Sequence, residues 1–97
     1  MEANIRAIGE RGDPAILGRY AEVARTLTGD PSADALGGVT RVHALCAELK
    51  IPPLREAGLS VADCRRLLPL ARRASSMKGN PVPLSDEELL QILEAAL

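Results

Sequence analysis

The stretch DPAILGRYAEVARTLTG, residues 13–29, contains a whole helix from start signal to stop signal. Asp13 is an N-cap side chain, and Pro14 suits the first helical position, where its missing N–H removes no bond. Leu17, Tyr20, Ala24 and Leu27 then recur at threes and fours, with Val23 beside them. That spacing puts one apolar stripe on a helix running to about Leu27. Gly29 is the stop, since glycine takes the left-handed conformation that closes a helix.

Helical signals continue on both sides. Met1 to Ile8 carries Ile5 and Ile8 on one side and reads as the tail of a helix, ended by Gly9 and Gly12. Downstream, Asp30-Pro31-Ser32 is a loop with a second N-cap. A third helix is expected from about Ala33 to Lys50, with Leu36, Val39, Val42, Cys46 and Leu49 as its apolar stripe. Gly37 and Gly38 lie inside it and cost roughly 1 kcal/mol each relative to alanine. They imply either a frayed first turn or a close helix crossing. Ile51-Pro52-Pro53 ends the helix, and Leu54 to Leu59 is a connector with room for one helical turn.

Ser60 and Asp63 form an S-x-x-D start signal, followed by Val61, Cys64, Leu67 and Leu68 on one side. Pro69 lacks an N–H and clashes one turn back, so a break or kink is expected there. A further helix would run from Pro69 to about Met77, with 78–83 an extended loop. At the C-terminus, Ser85 and Glu88 form a capping box bracketed by Leu84 and Leu89. Asp86, Glu87 and Glu88 suit the positive end of the helix dipole. Leu89, Leu90, Leu93 and Leu97 supply the buried side of a helix reaching the end of the chain. No segment alternates as a strand. The expected fold is all-α: one domain over 1–97, a compact bundle of five or six helices.

Composition narrows the function. The 97 residues are 46% apolar, with one Tyr and no Trp or Phe. The core must therefore be built from Leu, Ile, Val and Ala. A net charge of -1 argues against a general nucleic-acid or anionic-membrane binder. No apolar run approaches the roughly 20 residues of a membrane span. No signal-peptide pattern is present, so a cytoplasmic location is expected, with Cys46 and Cys64 reduced and packed as small hydrophobes.

Little catalytic chemistry is legible. His43 and Cys46 place two ligand types on one helical face, but zinc needs three or four ligands, and neither a metal site nor a His–Cys catalytic pair is expected. Ser75 and Ser76 lack a nucleophile-elbow context. Gly37-Gly38 follows no strand and is not a dinucleotide fingerprint. Arg65, Arg66, Arg72 and Arg73, with Lys78 beyond, could suggest a helix-turn-helix reader. The acidic balance and Pro69 within the would-be recognition helix argue instead for a solvated face.

Taken in order, several segments resemble the C-terminal part of the iron-containing (group III) alcohol dehydrogenases. They are Arg19-Tyr20-Ala21-Glu22-Val23-Ala24-Arg25, then Ala47-Glu48-Leu49-Lys50-Ile51-Pro52-Pro53-Leu54, then Glu56-Ala57-Gly58-Leu59. Ala74-Ser75-Ser76-Met77-Lys78-Gly79-Asn80-Pro81 and Ser85-Asp86-Glu87-Glu88-Leu89 follow. Met1-Glu2-Ala3-Asn4-Ile5-Arg6-Ala7 is similar to the family segment just after the metal-site histidines. Pro69 departs from the pattern, because the family proline comes a few residues earlier.

The resemblance implies the helical end of a two-domain, NAD(P)-linked oxidoreductase whose iron, or another divalent metal, polarises the alcohol or carbonyl oxygen. The family's metal ligands and nucleotide-binding residues lie upstream of the matched segments. The chain alone is then expected to be non-catalytic, with no catalytic, cofactor-binding or metal residue of its own. Ser75, Ser76 and Met77 would line the substrate cleft of the parent enzyme. The implied partner is the missing nucleotide-binding domain, with self-association through exposed apolar faces also expected. The alternative is a free-standing helical interaction module.

Overall fold

The computed structural model describes residues 1–97 and contains five α-helices, two short 3-10 turns and no strand. The chain divides into two compact units, Met1–Ile51 and Pro52–Leu97.

The first unit holds α1 (Glu2–Arg11), α2 (Pro14–Thr28) and α3 (Ala35–Glu48), all three packed on one another. α1 is a full helix, not a tail, and it passes through Gly9. Burial of Ala3, Ile5, Ala7 and Ile8 on one side outweighs the glycine's weak helix propensity. Asp13 caps α2 by accepting from the Ala15 N–H, and Gly29 closes it at φ 72°. α3 starts two residues later than its sequence suggests, because Asp34 provides the cap, accepting from Gly37.

The Gly37-Gly38 pair resolves in favour of a close crossing. Gly38 is buried where α3 passes α2, and a Cβ there would stand 2.8 Å from that of Ala24. α3 ends at a residue the sequence does not flag. Lys50 adopts φ 51°, its N–H bonds to the Ala47 carbonyl, and the Ile51 N–H reaches the Cys46 carbonyl at 3.0 Å. This is the closure usually built on glycine. The expected stripes are only half covered. Ala24 is fully buried, but Val23, Leu27, Leu36 and Leu49 stand exposed, Leu49 by 64%. Three helices bury one another's inner faces and leave these outer positions only partly covered.

The second unit begins with a 3-10 turn, Leu54–Ala57, closed by Gly58 at φ 85°. The Leu54 N–H donates to the Ala96 carbonyl, tying this turn to the end of the chain. α4 spans Val61–Arg73 and α5 spans Asp86–Ala95, and the two pack together. Both carry complete capping boxes, Ser60 with Asp63 and Ser85 with Glu88.

Of the break or kink expected at Pro69, the break is absent: α4 runs through it to Arg73. Pro69 and Arg65, whose carbonyl it leaves without a helical partner, are both exposed, where water is within reach. The helix expected from Pro69 to Met77 is therefore replaced by the end of α4 and a separate 3-10 turn, Ser75–Gly79. α5 stops at Ala95, short of the chain end. Cys64, Val82 and Leu89 are the buried centre of this unit. No helix is long and apolar enough to cross a membrane.

Candidate functional site

The residues singled out by sequence fall in the segment between α4 and α5. α4 ends at Arg73, where Ala74 turns extended at φ -58°, ψ 137°. The 3-10 turn that follows carries Ser75 and Ser76 with both side chains exposed, and Met77 half-buried. The Met77 N–H donates to the Ala74 carbonyl and the Asn80 N–H to that of Met77. The Asn80 side chain donates to the Val82 carbonyl at 2.6 Å, and buried Val82 anchors the segment. Ser75, Ser76 and Met77 thus share one turn, with no histidine or carboxylate bonded to either hydroxyl. The turn offers hydroxyl hydrogen bonding and thioether packing.

Charge surrounds this turn in a way the sequence does not reveal. The Arg72 guanidinium meets the Asp86 carboxylate at 2.6 Å, joining the last turn of α4 to the first residue of α5. Arg73 donates through Nε to the Pro69 carbonyl at 3.3 Å. Arg66 lies 3.6 Å from Asp63. Arg65, Arg66, Arg72, Arg73 and Lys78 are all exposed. The side-chain and backbone hydrogen bonds from Ser60 hold the Asp63 carboxyl below the usual aspartate range, and Arg66 adds to the effect.

His43 and Cys46 lie on α3 in the first unit, while Cys64 is in the second. His43 is exposed and stands 3.7 Å from Glu2, a link between α3 and α1 that spacing could not reveal. No group of three or more His, Cys, Asp or Glu is placed to hold a metal ion. These donors do not fit an iron site. Nor do the glycines fit a nucleotide phosphate, because Gly37 and Gly38 are inside a helix and Gly38 faces Ala24.

Sequence reasoning also missed Asn4, whose amide donates to the Tyr20 hydroxyl at 3.1 Å and joins α1 to α2. The signal was present only as two polar groups on otherwise apolar faces. Compared with known proteins, the chain matches no family model, no curated protein and no solved structure.

Proposed function

We propose that this chain is the distal helical part of an iron-dependent, NAD(P)-linked alcohol dehydrogenase-like oxidoreductase, without catalytic residues of its own. In this reading it packs beside a nucleotide-binding domain, and Ser75, Ser76 and Met77 line the edge of the substrate cleft. The observation that carries the reading is the ordered motif set, in which the matched segments after the one inside α2 meet element boundaries. Lys50 closes α3, Gly58 closes the 3-10 turn, residues 74–80 form the turn after α4, and Ser85 caps α5.

The exposed apolar positions Leu36, Leu49 and Ile51 support a covered face in the assembled protein. They equally favour the second reading, a helical interaction module that binds a separate protein. Reading the DNA upstream of the Met1 codon in the same frame distinguishes the two. An open frame encoding an aspartate and three histidines in metal-site context is the expected result. A stop codon immediately upstream would overturn the oxidoreductase reading and leave the interaction module.

A further inference from the structure

The run Arg72-Arg73-Ala74-Ser75 places two guanidinium groups three and two residues before an exposed hydroxyl. Four features of the segment act together. The helix ends at Arg73, Ala74 is extended, and all four residues are exposed. The acceptor itself sits in a turn of only five residues, Ser75–Gly79, none of which is buried. A kinase cleft needs a short, accessible stretch that it can draw out, and charge patterns next to the acceptor decide which serine is chosen.

We propose that Ser75 is a phosphorylation site for a serine kinase whose cleft carries carboxylates that read Arg72 and Arg73. The Ser75 Oγ attacks the γ-phosphorus of a nucleoside triphosphate bound with magnesium by that kinase. A new O–P bond forms, the bond from the γ-phosphorus to the β–γ bridging oxygen breaks, and the nucleoside diphosphate leaves. The hydroxyl proton passes to a carboxylate base of the kinase. This inference does not rest on the oxidoreductase reading, since it uses only the exposed segment 72–75.

The product has a consequence within the fold. A phosphoserine carries about -1.5 to -2 charges and three strong acceptor oxygens. Arg72 and Arg73 are the nearest cations before it in the chain, and Arg72 now holds Asp86. The new dianion competes for that guanidinium, and Arg72 moves from the first residue of α5 to the phosphate. Phosphorylation thereby loosens the ionic link between α4 and α5.

The test treats the folded 97-residue chain with a purified serine kinase that selects arginine at these two positions, in magnesium-ATP, and locates the product by mass spectrometry. One phosphoryl group on Ser75 is expected. It is absent in Ser75→Ala and unchanged in Ser76→Ala. Arg73→Ala slows its addition by at least about tenfold, as loss of a paired charge contact should. Three results would each overturn the proposal: modification confined to Ser76, a rate indifferent to Arg72→Ala and Arg73→Ala, or an inert folded chain when a peptide spanning 70–79 is modified. In a 15N-labelled chain the Arg72 Nε–H signal should shift on phosphorylation, and a stationary signal would sink the transfer from Asp86.

Discussion

Gly38 of α3 faces Ala24 of α2 so closely that a Cβ on Gly38 would lie 2.8 Å from the Ala24 Cβ and 3.0 Å from its Cα. One of these atoms is backbone, so the helices themselves would have to part. Gly37, one residue earlier, has only ordinary contacts, the nearest being Asp34 Oδ1 at 3.5 Å. The two glycines should therefore respond in opposite ways. Gly38→Ala should destabilise the chain by about 1–3 kcal/mol through overpacking. Gly37→Ala should stabilise it by about 0.5–1 kcal/mol, the ordinary helix-propensity gain. Chemical denaturation of both variants checks this, and equal effects would mean that the crossing is not where the structure puts it.

This pair also shows where the sequence was legible. Gly37-Gly38 announced an anomaly, and its two readings could be written down, but only a partner helix selects one. Most caps were legible because their chemistry is local: Asp13, Ser60 and Ser85 cap the helices they were expected to cap, whereas α3 is capped by Asp34 and not within Asp30-Pro31-Ser32. Lys50 was illegible, because nothing in a lysine declares a left-handed backbone. A break at Pro69 was one of two readings; α4 runs on, and this was illegible because exposure, which decides whether an unbonded carbonyl is tolerated, is not a local property. The candidate turn was found as a segment, but its link to α5 through Arg72 and Asp86 crosses 14 residues of chain and has no spacing signature.

The Ser60–Asp63 box gives a pH dependence with a defined sign. Hydrogen bonds from Ser60 lower the Asp63 pKa below its ordinary 3.8. The stabilisation is therefore fully present above that value, and it disappears as the pH falls through the depressed folded-state pKa. Ser60→Ala should be less stable than the parent at neutral pH, and the gap should narrow below pH 3.8. Asp30, lowered in the same direction by Ser32, lies in the other unit and is untouched by the substitution. Thermal melts of both proteins between pH 2.5 and 7 (about the range over which a perturbed aspartate titrates) would reveal the narrowing. A constant gap would remove Asp63 from the account.

Both thiols are free, but their surroundings differ. Cys64 is fully buried on α4 and Cys46 only half-buried on α3. A thiol reagent should label Cys46 in the native chain, whereas Cys64 reacts only at the rate at which its unit opens. Cys64→Ser should destabilise by about 1–3 kcal/mol, because a hydroxyl replaces an apolar thiol at a position closed to water. Mass spectrometry of labelled peptides over time reads the first point directly. Equal labelling rates under native conditions would contradict the packing of α4 on α5.

Pro69 leaves one backbone bond of α4 unmade while the helix persists to Arg73. Capping by Ser60 and burial of Cys64 hold the helix against that loss. Pro69→Ala restores the N–H on an exposed side and removes the ring. The second unit should gain up to about 3 kcal/mol, the upper limit set by proline's penalty in a helix interior. Hydrogen exchange would show the gain locally, as slower exchange of amides in the second half of α4. Unchanged exchange there would mean that the proline already sits without strain.

Lys50 holds φ 51° at the end of α3, in the region where a Cβ crowds the following carbonyl. Its N–H and that of Ile51 close the helix on Ala47 and Cys46. Glycine adopts this conformation without the steric term but loses more backbone freedom on folding. The net of these two effects is a stabilisation of about 0.5–1 kcal/mol for Lys50→Gly. Lys50→Val should move the other way, since branching at Cβ makes the left-handed region harder to reach. Position 50 is exposed, so packing does not enter the comparison. Denaturant midpoints for the two variants should fall on opposite sides of the parent. If both fell below it, the lysine side chain would be contributing more than its backbone conformation costs.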